Sequence, residues 1–179
     1  NKAIRLDGKY FEAWYHKGIA LKHIGKDDQA LKCFDQVIKI NPRHYQAHYR
    51  KGNILNEMDY NDDAALSYQN AVRLKPDFVD AWNNLGIVQR KLNKPKQAIR
   101  SYNKAIKINP NYFEAWLNKG LALDSLAKYK PAILSYKKFI ELAPSEKDKY
   151  INITQRRINE IKEILHEKNN NNKISIKKQ

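Results

Sequence analysis

The sequence predicts an all-α protein, a solenoid of stacked antiparallel helical hairpins, each 34 residues long. Three observations carry this. First, small and aromatic residues recur at a spacing of 34 with no gap: Gly18, Gly52, Gly86 and Gly120; Ala30, Ala64, Ala98 and Ala132; Phe34, Tyr68, Tyr102 and Tyr136. Second, each period holds two apolar segments with spacings of three and four, the helical pattern. Third, a proline closes every period, at Pro42, Pro76, Pro110 and Pro144. The residue before a proline is pushed out of the α region, so a helix ends there. A single hairpin cannot bury its apolar face alone, so such units must stack on one another.

The first full unit shows how each element arises. Ala13, Trp14, Ile19, Ala20, Leu21 and Ile24 give the first helical stripe. Gly25-Lys26-Asp27-Asp28 breaks it, with Gly25 suited to the position past a helix end and the Asp pair to the start of the next helix. Ala30, Leu31, Phe34, Val37, Ile38 and Ile40 form the second stripe, and Asn41-Pro42 stops it. The expected units are 11–44, 45–78, 79–112 and 113–144. Pro131 falls where a second helix begins, a place that accepts proline, and Pro95 is expected slightly earlier, in the turn.

Mid-helix glycine costs about 1 kcal/mol against alanine, so each glycine predicts a close approach by the partner helix. Trp14, Trp82 and Trp116 are expected as buried wedges, and His48, in the same place, as a less tightly packed joint. Lys17, Lys51 and Lys119 precede three of the glycines, and their stems should cover the core edge while the ammonium reaches water.

Residues 1–10 read as the end of a truncated preceding repeat. Ala3, Leu6 and Tyr10 stand 34 before Val37, Ile40 and His44, with Gly8 in the place of Pro42. This suggests a piece of a longer protein. After Pro144, residues 145–168 are expected to form a capping helix, from about Lys147, with Tyr150, Ile153, Ile158, Ile161 and Leu165 on one apolar face. Residues 169–179 form a basic, asparagine-rich low-complexity tail, expected to be disordered.

On these positions the chain resembles the tetratricopeptide repeat family. The family pattern falls on Trp14, Gly18, Ala30, Phe34, Val37 and Pro42. It recurs on His48, Gly52, Ala64, Tyr68, Ala71 and Pro76, then on Trp82, Gly86, Ala98, Tyr102, Ala105 and Pro110. The last copy is Trp116, Gly120, Ala132, Tyr136, Phe139 and Pro144. His48 departs from the usual tryptophan, and Val37 and Phe139 enlarge a position that is usually alanine. The resemblance implies an α-α superhelix whose first helices line a concave groove and whose second helices face outward. It also implies a protein-protein interaction scaffold that holds a peptide or partner protein in that groove.

By repeat register the groove should present Tyr15 and Ile19, then Tyr49, Arg50 and Asn53, then Asn84, Ile87 and Lys91, and finally Leu117, Asn118 and Leu121. Asn53, Asn84 and Asn118 could form a row of amides, each offering a donor and an acceptor to a peptide backbone. The tyrosines and aliphatic residues would add an apolar floor. Some family members grip the carboxylate tails of chaperones with Lys, Asn, Asn, Lys and Arg. Here only Asn53 and Asn84 match, with Tyr49, Glu114 and Asn118 elsewhere in the set, so that activity is not expected.

The charge balance is strongly basic, 34 Lys plus Arg against 19 Asp plus Glu. Second helices carry a basic stripe, including Lys32, Lys39, Arg73, Arg100, Lys104, Lys107, Lys137 and Lys138. It offers an alternative function, binding of nucleic acid or another anionic surface. Most aromatics sit at core positions instead of on exposed stacking platforms, so nucleic acid is not the expected partner. A third reading is self-association through repeat ends, seeded by Ala3, Ile4 and Leu6.

Other classes find no support. The single cysteine, Cys33, rules out an internal disulfide and a cysteine-based zinc site. His44 and His48 lie four apart, but no carboxylate joins them at ligand spacing. No nucleophile motif, phosphate loop or paired acids appear, so neither enzyme activity nor a cofactor or metal is expected. No window is apolar enough to span a membrane, and a cytoplasmic setting is the expectation.

Overall fold

The computed structural model describes the backbone of residues 2–176 and the side chains of residues 10–168 and Asn170. Its helices are α1 (Lys2–His23), α2 (Asp27–Ile40), α3 (Tyr45–Glu57), α4 (Asn61–Leu74) and α5 (Val79–Lys91). They continue with α6 (Pro95–Ile108), α7 (Phe113–Asp124), α8 (Tyr129–Leu142), one 3-10 turn (Ser145–Lys147) and α9 (Asp148–Ile176). No strand occurs among the described residues. The architecture is the all-α helical-repeat class. The chain divides into two compact units, residues 1–94 and 95–179. In the first, α1 to α5 pack each on the next; in the second, α6 to α9 do the same.

The 34-residue ruler holds for the elements themselves. Second helices begin at 27, 61, 95 and 129 and end at 40, 74, 108 and 142. Each is reached by the same turn. Lys26, Tyr60, Lys94 and Lys128 donate their backbone N–H to the carbonyls of Leu21, Leu55, Gln89 and Leu123, at 2.8–2.9 Å. The preceding residues, Gly25, Asp59, Asn93 and Ala127, take positive φ of 72°, 59°, 55° and 53°. This is the Schellman geometry that satisfies the last carbonyls of a helix. Gly25 takes it freely, Asp59 and Asn93 tolerate it, and Ala127 adopts it at a cost.

The core is made by the second-helix aromatics. Phe34, Tyr68, Tyr102 and Tyr136 are at most 1% exposed, and Ala30, Ala64, Ala98 and Ala132 are fully buried. The mid-helix glycines explain themselves here, with a correction. At Gly18, Gly52 and Gly120 it is an aromatic ring, not the partner backbone, that lies closest to where a Cβ would stand. A Cβ on Gly52 would stand 2.8 Å from the Tyr68 ring, and one on Gly120 would collide still more closely with Tyr136.

The tryptophans also differ from expectation. They are half-buried, and two of the indoles act as latches. Trp82 and Trp116 donate Nε1–H to the carbonyls of Pro76 and Pro110, both at 2.8 Å. His48 fills the same role, its Nε2 lying 3.1 Å from the Pro42 carbonyl, so it marks an ordinary joint and not a loose one. A ring N–H within reach of the closing proline is what the position needs. Lys17 and Lys119 place their ammonium groups over the rings of Trp14 and Trp116, at 4.9 and 5.0 Å, and Lys51 pairs with Asp35 at 2.6 Å.

Three boundaries depart from the sequence reading. Helix α1 runs unbroken through Gly8, because glycine, unlike the proline at the other unit ends, neither clashes with the preceding turn nor lacks a donor. Residues 2–10 are therefore continuous with the first helix of the unit that follows. Pro95 is the first residue of α6 and not part of the turn. Helix α9 continues to Ile176, past the expected stop at Lys168. Nothing in Asn169–Ile176 breaks a helix, and asparagine costs only a fraction of a kcal/mol per residue. Residues 177–179, and the side chains of Ala3, Ile4 and Leu6 on which self-association was based, lie outside the described residues.

Three tests follow from this packing. Gly120→Ala and Gly52→Ala should each destabilise by about 1–3 kcal/mol in urea unfolding, despite alanine's better helix propensity; a gain in stability would dismiss the ring contact. Ala127→Gly, which relieves a left-handed alanine, should instead stabilise by about 1 kcal/mol. The third is acid sensitivity. His44 Nδ1 accepts a hydrogen bond from the Ala47 N–H at 3.1 Å, and burial lowers the pKa of both His44 and His48 below the ordinary 6.5. The unfolded chain thus takes up these protons first. Their stability contribution is present above pH 6.5 and is lost as the pH falls through the lower folded-state values. The urea midpoint should drop between about pH 7 and about pH 5, and H44N/H48W, which keeps cap and latch without titrating, should flatten that drop.

Candidate functional site

The residues expected in the groove lie on α1, α3 and α5 in the first unit and on α7 in the second. The two units present them differently.

In the first unit most of these side chains are tied to one another. Tyr15 is half-buried, edge-on to Phe34 at 5.8 Å and against His44 at 4.8 Å. Tyr49 packs on Tyr68 at 5.9 Å and Phe78 at 4.6 Å. Asn53 accepts the Tyr68 hydroxyl at 2.8 Å and the Asn84 amide at 3.2 Å through one oxygen. Asn84 Nδ2 also lies 3.4 Å from the Tyr49 hydroxyl. Burial pushes the Tyr49 and Tyr68 phenols up, so both hydroxyls stay protonated and able to donate. Ile87 is half-buried on α5.

The charged residues are paired as well. Lys22 bridges Asp27 and Glu57, and the Glu57 hydrogen bond is the main reason its pKa is raised. Lys91 reaches Asp59 at 3.0 Å and the Asn56 carbonyl at 3.3 Å. Arg50 is exposed. A small cavity of about 100 Å³ remains, lined by Ile19, Lys22, Phe34, Arg50, Asn53 and Glu57 among others.

A core constraint lies behind this amide cluster. The position 15 residues before each second-helix aromatic is Ile19, Asn53, Ile87 or Leu121 for Phe34, Tyr68, Tyr102 or Tyr136. Phe34 has no hydroxyl and meets an isoleucine. Tyr68 has one and meets Asn53. Tyr136 faces Leu121 and sends its hydroxyl to Asp124 at 3.2 Å instead. Asn53 thus satisfies a buried phenol.

The second unit holds an open pocket of about 690 Å³ between α7 and α9. Leu117, Asn118 and Leu121 line it from α7, and Tyr150, Ile153 and Arg156 from α9. Leu121, Tyr150 and Ile153 are 38%, 54% and 53% exposed. The far wall is an ion cluster. Arg157 grips both oxygens of Asp124, at 2.7 and 3.0 Å, and also holds Glu160 at 2.8 Å. These carboxylates hold the guanidinium charged far beyond any working pH.

The α9 contribution was missed because Tyr150 and Ile153 were read as part of a packed face. The packed stripe is Thr154, Ile158 and Ile161, all at most 4% exposed. Arg157, 34 after the buried Leu123, faces Asp124. Helix α9 runs on where the other units turn, and it leaves the repeat register. Among the described residues no group of His, Cys, Asp and Glu could hold a metal ion. No described helix is long and apolar enough to cross a membrane.

Residues 11–44 and 79–112 match the family described as "Tetratricopeptide repeat", residues 52–93 match "TPR repeat", and residues 101–132 match a further tetratricopeptide repeat description. No curated protein matches the chain closely in sequence. Among solved structures, a crystal structure of MamA is 26% identical with a TM-score of 0.74, covering 83% of this chain and 86% of that one. MamA 41-end from Desulfovibrio magneticus RS-1 is 27% identical with a TM-score of 0.69, over 74% and 75%. YrrB, titled a TPR protein with an unusual peptide-binding site, is 21% identical with a TM-score of 0.71, over 89% and 85%, a likeness of fold. The repeat matches span more than half of the sequence, and the chain belongs to the tetratricopeptide repeat family.

Proposed function

We propose that this interaction scaffold holds a peptide segment of a partner protein by seating an apolar side chain in the pocket between α7 and α9. Tetratricopeptide repeats serve as protein-interaction scaffolds, generally without catalysis of their own. The pocket itself is the observation that carries the finer reading. It is concave, about 690 Å³, and walled by aliphatic and aromatic side chains that are exposed in the free chain. Such a floor with a few polar groups at its edge is what a peptide anchor requires. Asn118 and Arg156 supply that edge.

The first unit contributes less to this function. Its expected contact residues spend their polar groups on each other, and its cavity is small. Arg50 and Ile19 remain as accessory contacts. YrrB, a peptide-binding protein of the same fold by its title, is a precedent for the class and says nothing about this partner.

The test uses peptides selected from a random library on the 179-residue chain. They should carry a large apolar residue. Their affinity should fall at least tenfold on L121K/I153K, since each buried apolar side chain is worth about 1.5–3 kcal/mol. Both positions are exposed, so helix content by circular dichroism should not change. Equal affinity for parent and variant would move the site away from this pocket. Asn53→Ala is a poor probe, because it strands the Tyr68 hydroxyl and confounds binding with stability.

A further inference from the structure

We propose that the outward face of α6 and α8 docks on an anionic lipid bilayer. The basic surplus of the chain is not spread evenly. Helix α2 carries Lys32 and Lys39 against Asp27, Asp28 and Asp35, and α4 carries Arg73 against Asp62 and Asp63. Both are slightly acidic. Helix α6 has Lys96, Arg100, Lys104 and Lys107 and no acidic residue at all. Helix α8 has Lys130, Lys137 and Lys138 against Glu141. A solvated surface with a uniform basic bias would not make this division.

Geometry turns these cations into one patch. Lys96, Arg100, Lys104 and Lys107 are spaced by four, four and three, within an arc of about 80° on a helix of 3.6 residues per turn. All are exposed, and none joins an ion pair among the described residues. Helices α6 and α8 turn the same face inward, since Ile99 and Ile133, 34 residues apart, border one core cluster. The outward positions therefore correspond, Lys96 with Lys130, Arg100 with Leu134 and Lys104 with Lys138. Only Lys138 is paired, with Glu141 at 2.7 Å.

Leu134 selects the partner. It is 66% exposed, in the middle of the α8 cations. A lone aliphatic side chain ringed by lysines suits a bilayer interface, where cations meet headgroups and the apolar group enters the acyl boundary. A single-stranded nucleic acid would instead need exposed aromatics to stack on. The aromatics of these helices, Tyr102, Tyr136 and Phe139, are at most 1% exposed, and the half-buried Tyr129 lies under Lys168. The face is separate from the peptide pocket, and the inference does not depend on it.

Cosedimentation of the 179-residue chain with vesicles tests this. Vesicles containing about one-third phosphatidylserine should retain the chain at low salt, and pure phosphatidylcholine should not. Each cation near such a surface is worth about fivefold, so K96Q/R100Q/K104Q should weaken binding on the order of 100-fold. Leu134→Ser should weaken it about tenfold. A control with the same loss of charge, K32Q/K39Q/R73Q, should stay within about threefold of the parent, because it lies outside the patch. Four results would each overturn the proposal. They are equal retention by both vesicle types, an unaffected α6 variant, an equally weakened control, and tighter capture by short duplex DNA that the α6 variant abolishes.

Discussion

Everything in this fold rests on an aromatic ring seated on a glycine. Tyr68 lies over Gly52 and Tyr136 over Gly120, each ring fully buried and each so close that no Cβ fits beneath it. The contact joins residues 16 apart. It sets the distance between the two helices of a hairpin, and the buried alanine one turn before the ring keeps the neighbouring surface flat. A phenyl or phenol ring brings a large apolar area into that contact, enough to outweigh the helix-propensity cost of a glycine. The hairpin is thus specified by a pair of residues at fixed separation. The loop between them only has to turn, which it does with a left-handed residue at the same place each time.

A second constraint joins one hairpin to the next. The carbonyl of the closing proline has no helical partner, and a ring N–H from the following helix takes it up. Trp82, Trp116 and His48 all do this from the same position. The exchange of tryptophan for histidine preserves the donor and discards the bulk, which shows that the donor is the requirement. It also brings a titratable group to a joint where the other units have none. His44, which caps the same helix through an unprotonated nitrogen, lies one turn away.

The sequence made the hairpins legible because their determinants are local or periodic. A proline stops a helix wherever it falls, and a glycine 16 residues before an aromatic repeats at a readable interval. The misreadings have a common cause. Gly8 and the Asn169–Asn172 run read as breaks in the pattern, yet neither forbids a helix, and both helices run through. The amide row shows a demand of a different kind, since Asn53 and Asn84 bond to each other and Asn53 also accepts the Tyr68 hydroxyl. Asn53 sits at a groove position by register, but whether it faces solvent depends on the residue 15 positions later. Here Tyr68 claims the Asn53 amide, whereas Phe34 has no hydroxyl and Tyr136 sends its own to Asp124, so Ile19 and Leu121 can be apolar. Pairwise demands of this kind do not appear in the register of a single helix. The pocket between α7 and α9 was half legible, since Leu117, Asn118 and Leu121 follow the repeat, while Tyr150, Ile153 and Arg156 come from a helix that leaves it.

The positions that the repeat leaves free are where this chain can differ from any other with the same spacing. At one such site, Ile19, Asn53, Ile87 and Leu121 are 34 apart; Ile19 and Asn53 border the small cavity of the first unit, and Leu121 borders the larger open pocket of the second. At another, Lys32, Leu66, Arg100 and Leu134 share an outward place. Leu66 and Leu134 are similarly exposed, at 57% and 66%, yet they do not have the same neighbours. Leu66 has Asp62 and Asp63 one turn before it, whereas Leu134 has Lys130 before it and Lys137 and Lys138 after it. An exposed leucine beside carboxylates would be repelled from an anionic surface, and one among ammonium groups would be drawn to it. The same side chain at the same place in the fold thus has opposite prospects in the two units. Function in this chain is therefore a property of neighbouring free positions taken together, and it cannot be assigned to any single residue of the repeat.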